Sequence, residues 1–119
     1  MVTFSKNAGS TTMKLSEPWY TLVKERIKTA EIRIYDEKRK QLSEGDEITF
    51  TKEDGSDPFV RRILKLEVFP SFRNALEYIS YKNAIPTANS LEEAIAVYES
   101  IPGYLDNSIK YGVLLIVLS

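Results

Sequence analysis

The sequence contains neither histidine nor cysteine. Without cysteine there are no disulfides and no thiolate zinc sites. Without histidine, the commonest general base and metal ligand is gone, so any acid–base chemistry must come from carboxylates, lysine, tyrosine or the backbone. Glycine-rich phosphate loops, serine nucleophile elbows and acidic metal motifs are absent. No apolar run reaches bilayer-spanning length, and the N-terminus lacks an apolar signal core. The chain therefore reads as cytoplasmic, with no metal or other cofactor expected and no membrane partner.

What is present is ordinary in bulk and uneven in detail. The 119 residues, 43% apolar and 28% charged, suit one domain with a sizeable core. Net charge is −1, which does not advertise a nucleic-acid surface. Basic residues nevertheless gather between positions 24 and 40, where Lys24, Arg26, Lys28, Arg33, Lys38, Arg39 and Lys40 outnumber Glu25, Glu31, Asp36 and Glu37. That cluster is either a solvated helix end and turn or an anion-facing surface.

The segment Arg26 to Asp36 carries the densest set of reactive groups. It reads as a helix end running into a strand. Beyond Lys28 the residues alternate: Ala30, Ile32 and Ile34 point one way, while Thr29, Glu31, Arg33 and Tyr35 point the other.

Residues 1–12 are polar and aperiodic and read as a loose extension, with Val2-Thr3-Phe4 able to add an edge strand; residues 13–119 form the domain. A short strand spans Thr12 to Leu15. Ser16 or Glu17 caps a helix with Pro18 in its first turn. Trp19, Leu22, Val23 and Ile27 make its apolar stripe, ending near Lys28. Trp19 reads first as a core anchor and second as a ring for base stacking. Strands follow over residues 29–35, 47–51 and 59–69, with Gly45 in a turn and an Asp-Gly loop at residues 53–58. In the last of these strands Leu64, Leu66 and Val68 alternate with Lys65 and Glu67, which predicts that the leucines and valine face a core.

Ser71 caps a helix bearing Phe72, Ala75, Leu76 and Ile79. Residues 81–89 read as a loop. Ser90 to Glu93 form a capping box for a helix striped by Leu91, Ala94, Ile95 and Tyr98, which Pro102-Gly103 stops. Residues 113–118 are an uncharged apolar strand, buried on both faces. Hairpin-length connections predict antiparallel pairing among the middle strands. The sum is an α+β domain: a small mixed, mostly antiparallel β-barrel with flanking helices at its mouth.

Several motifs together resemble the ASCH domain family of the PUA-like superfamily. They are Met13-Lys14-Leu15, Glu17-Pro18-Trp19, Lys28-Thr29-x-Glu31-x-Arg33-x-x-Asp36-Glu37-Lys38-Arg39, Glu44-Gly45-Asp46-x-Ile48-x-Phe50 and Tyr111-Gly112-Val113. The resemblance covers about residues 13 to 118. It implies a PUA-like β-barrel with a cleft between barrel and helices, and an association with RNA or modified nucleobases. Expected ligand-binding residues are Lys28, Thr29, Glu31, Arg33, Tyr35, Lys38, Arg39 and Trp19. The expected partner is RNA or a modified nucleoside; the oligomeric state is left open.

Some members of that family deacetylate N4-acetylcytidine. The resemblance implies for them a Lys in a Lys-Thr dipeptide, a Thr three residues after that Lys, and a Glu in the loop beyond the following helix. Here the Lys is Lys28, the Thr position holds Glu31, and residues 81–89 contain no carboxylate. If the chain is an enzyme, Lys28 and Glu31 are its catalytic candidates, in a small amidohydrolase for N4-acylated cytidine-type nucleosides. A protein-interaction module without a small ligand is a third reading.

Overall fold

The computed structural model describes residues 6–7 and 10–119. It places strands β1 (Lys6–Asn7), β2 (Ser10–Leu15), β3 (Ala30–Ile34), β4 (Glu47–Lys52), β5 (Phe59–Phe69) and β6 (Val113–Leu118) in one sheet. The spatial order is β1-β2-β4-β5-β6-β3. Helices α1 (Trp19–Lys24), α2 (Phe72–Ile79), α3 (Tyr81–Ala84), α4 (Leu91–Glu99) and α5 (Tyr104–Tyr111) flank it. Among the described residues only β2 and β4 run parallel; every other pair is antiparallel. The architecture is the mixed, mostly antiparallel barrel with flanking helices that the sequence implied. Among the described residues no helix is long and apolar enough to cross a membrane.

Strand β5 is the hinge of the sheet. Its first half pairs with β4 and its second with β6, with a register irregularity between Ile63 and Lys65. An extra residue in one strand bends it and resets which side chains face in. This overturns the predicted sidedness: Leu64 and Val68 are 55% and 48% exposed, while Arg61 and Ile63 are buried.

The sheet separates two apolar clusters. Ile48, Phe50 and Ile63 pack on the barrel side with Leu114 and Ile116. Ala30, Ile32 and Ile34 pack on the opposite side with Leu115 and with α2 and α4. Strand β6 feeds both, which accounts for its uncharged run.

Other expectations are corrected. The first helix stops at Lys24, because Arg26 adopts φ 60°; Ile27 is then thrown outward, 55% exposed, and leaves the stripe. Strand β3 does not pair with β4; its partner is β6. The loop at residues 81–89 opens with α3, and α5 lies in a stretch that carries no periodic signal. Strand β2 begins at Ser10 and pairs with β1, so part of the supposed extension is in the sheet. Val2-Thr3-Phe4 lies outside the described residues.

The caps follow their chemistry. Ser71 and Ser90 accept the Asn74 and Glu93 amides. The Glu93 carboxylate reaches back to the Asn89 amide, at 3.1 Å. The Glu17 carboxylate takes the amide and hydroxyl of Thr21 at 3.1 and 2.8 Å. Gly112 joins α5 to β6 at φ +79°, where a Cβ would stand 3.0 Å from the Phe69 carbonyl.

Candidate functional site: a cationic cleft at the barrel seam

Strand β3 lies at one end of the sheet order, so among the described residues one of its edges has no strand partner. The Thr29 carbonyl and the Tyr35 amide bond towards β6. By alternation, the backbone groups of Ala30, Ile32 and Ile34 face the open edge. Side chains cover part of it. Lys28 Nζ donates to the Ala30 carbonyl at 2.8 Å, and the Ile32 amide donates to Glu31 Oε1 at 3.1 Å. A sheet edge covered in this way does not template further strands.

Local folding explains why Lys28 points inward. Once α1 ends, the Lys28 amide turns back to the Leu22 carbonyl, and the Thr29 amide bonds to the Asn83 carbonyl in α3. The side chain then runs beneath Trp19, whose ring centroid is 5.7 Å from Nζ. Besides Ala30, Nζ donates to the Ala84 carbonyl at 2.6 Å and meets the Tyr98 hydroxyl at 3.3 Å. Glu31 Oε1 lies 3.2 Å from it. The other oxygen, Oε2, accepts from Arg33 Nε at 2.9 Å.

The electrostatics follow from this row of three. Burial pushes the Lys28 ammonium down from 10.5, and Glu31 opposes that. Burial alone would raise the Glu31 carboxyl, but the Lys28 and Arg33 charges outweigh it and bring it down to about 2. Burial works against the Arg33 cation too, and Glu31 more than restores it. Burial raises the Tyr98 phenol well above 10. Glu31 is thus an ionised carboxylate between two cations, leaving the row with one net positive charge.

These groups border a cavity of about 320 Å³. It opens between the end of β2, at Lys14 to Ser16, and β3, with α4 and α5 on its far side. Three rings stiffen that side: Phe72 stacks on Tyr98 at 4.9 Å and on Tyr104 at 5.8 Å, nearly parallel to both. Tyr98 and Tyr104 line the cavity, as does Trp19.

The structure brings Lys28, Glu31, Arg33 and Trp19 together in this cleft. Thr29 is half-buried and does not border it. Tyr35 and Arg39 border a second cavity of about 260 Å³ with Lys40 and Glu67. There Asp36 accepts the Arg39 amide at 3.2 Å and pairs with its guanidinium at 3.0 Å, which fixes the turn. Lys38 borders neither cavity. The polar cleft residues that pattern reading missed include Lys14, Tyr98 and Tyr104. Tyr98 is hidden in a core stripe, where its one signal is a phenol among aliphatic neighbours. Tyr104 belongs to a helix with no stripe at all.

A mixed barrel-like sheet with flanking helices and a cleft at its seam places the chain in the PUA-like class. The chain belongs to the ASCH domain family, whose domain matches residues 13–101. A crystal structure described as the hypothetical protein PH0355 is 34% identical with a TM-score of 0.80, covering 91% of this chain and 95% of that one. The solution NMR structure of protein PF0455 from Pyrococcus furiosus is also 34% identical, with a TM-score of 0.72 and coverage of 92% and 96%. No curated protein matches.

Proposed function

We propose that this ASCH domain is a ligand-binding module that receives RNA or a modified nucleoside in the cleft at the barrel seam. The observation that carries this reading is the pairing of a ring-lined wall, Trp19, Tyr98 and Tyr104, with a buried row of charges that is positive on balance. A planar heterocycle suits the rings. Its polar edge suits the donors of Arg33. The volume, about 320 Å³, is at the small end of the roughly 300–1,000 Å³ common for small-molecule sites.

A hydrolytic role draws less support. A carboxyl held at about 2 is a weak base at neutral pH. Lys28 Nζ is ringed by Ala30 O, Ala84 O, the Tyr98 hydroxyl and Glu31 Oε1, a set of acceptors that suits an ammonium donor and not a free amine poised for attack.

The test is a panel of short RNAs, the common ribonucleosides and N4-acetylcytidine, followed by thermal shift and by amide chemical-shift mapping. Binding should raise the melting temperature and move the amides around Trp19, Arg33 and Tyr104. A panel that produces neither effect removes the proposal. Release of cytidine from N4-acetylcytidine would instead establish the hydrolase.

A further inference from the structure

The arginine in the cleft is only partly used by the protein. A guanidinium has five N–H donors. Arg33 commits Nε to Glu31 Oε2 at 2.9 Å, and among the described residues Nη1 and Nη2 have no partner. The side chain is nevertheless only 16% exposed and borders the cavity. The Nε bond fixes the plane of the fork while leaving its two terminal nitrogens open. These nitrogens are not sealed from solvent, so an incoming group can reach them from the cavity that Arg33 borders.

A second cation shares the same space. Lys14, at the end of β2, borders the cleft and is exposed. Among the described residues it forms no ion pair. The one acid on the cleft wall, Glu31, has both oxygens engaged, Oε1 by Lys28 and the Ile32 amide and Oε2 by Arg33. An incoming anion therefore meets Lys14 and the open end of Arg33, with Lys28 beneath them, in a wall where three basic side chains outnumber one carboxylate. The second cavity differs: its Arg39 and Lys40 are each paired with a carboxylate, and Glu67 joins its wall.

Resting on the nucleoside reading above, we infer that the cleft holds a phosphate subsite, in which the terminal nitrogens of Arg33 and the ammonium of Lys14 bind the phosphate ester of a nucleoside whose base lies against the rings. A planar fork and a mobile point charge are complementary ways to hold tetrahedral phosphate oxygens. The phosphate can belong to a free mononucleotide or to an RNA backbone; the chemistry at Arg33 and Lys14 is the same.

Calorimetric titration separates these cases. Cytidine, uridine, adenosine, guanosine and N4-acetylcytidine are each compared with the matching 5′-monophosphate and with a dinucleoside monophosphate, at low ionic strength. For the best-bound base, one phosphorylated form should bind about tenfold more tightly than the nucleoside or better, a difference of about 1.4 kcal/mol. A gain confined to the monophosphate identifies a mononucleotide site; a gain with the dinucleotide identifies backbone recognition. In Lys14→Ala, which removes an exposed side chain, and in Arg33→Lys, which keeps the charge but loses the fork, the ratio should fall towards one. Equal wild-type affinity for nucleoside and phosphorylated forms overturns the subsite and leaves the nucleoside reading standing. No binding by any compound removes both.

Discussion

Lys28 Nζ stands 3.2 Å from Glu31 Oε1, and neither side chain has more than 8% of its surface in contact with solvent. Two opposite charges three residues apart are thus held in a low-dielectric seam where either alone would be costly. The pair also covers an unpaired sheet edge through Ala30 and Ile32. It is at once a structural closure and the floor of the cleft.

Removing both partners should therefore cost less than the two single removals added together. In Glu31→Ala, Lys28 and Arg33 remain as buried cations with no counter-charge. In Lys28→Met, Glu31 loses one of its two cations, and the Ala30 and Ala84 carbonyls lose their donor. Each should destabilise by about 3–5 kcal/mol, read from urea-denaturation midpoints. Lys28→Met with Glu31→Ala should lose clearly less than the sum of the single changes. Strict additivity would mean that the two charges do not support each other.

The same pair fixes an acid limb of stability. Glu31 titrates at about 2 in the fold against 4.5 for an unperturbed carboxyl. Between those values the unfolded chain takes up the proton and the folded one does not, so stability rises with pH there. The contribution is fully present above 4.5 and is lost as pH falls through about 2. Its size is about 3 kcal/mol. Urea denaturation from neutral pH down to about pH 2 should show a steeper acid loss in wild type than in Glu31→Gln. Matching slopes would show that Glu31 has no such linkage.

Much of the site could be read from local order. Alternation puts Glu31 and Arg33 on one face of β3, and that face is the one turned to the cleft. Position alone says nothing about what stands opposite. The β3 partner is β6, about eighty residues away in the chain, and such a pairing leaves no trace in hairpin lengths. Helix α5 was invisible because it buries only Ser108 and exposes Leu105 and Ile109; with no buried stripe, periodicity has nothing to report. The sidedness of β5 failed for another reason. A register irregularity at Ile63 resets the phase of a strand whose composition still alternates. Tyr98 was placed in the core correctly, but a stripe argument does not reveal where a hydroxyl points.

That hydroxyl gives the last expectation. The Tyr98 ring is held by its stack on Phe72 at 4.9 Å, while its oxygen reaches Lys28 Nζ at 3.3 Å. Tyr98→Phe keeps the stack and removes the polar contact. Lys28 retains the Ala30 and Ala84 carbonyls and Glu31, so the loss should be modest, about 1 kcal/mol. A second measurement tests the environment rather than the bond. Burial lifts the Tyr98 phenol well above 10, so it stays protonated while the exposed tyrosines ionise. Alkaline absorbance titrations of wild type and Tyr98→Phe should superimpose until the protein unfolds, and wild type should then gain the extra phenolate. An additional tyrosine titrating near pH 10 in folded wild type, and missing from the variant, would place the Tyr98 hydroxyl in contact with solvent and contradict a sealed seam.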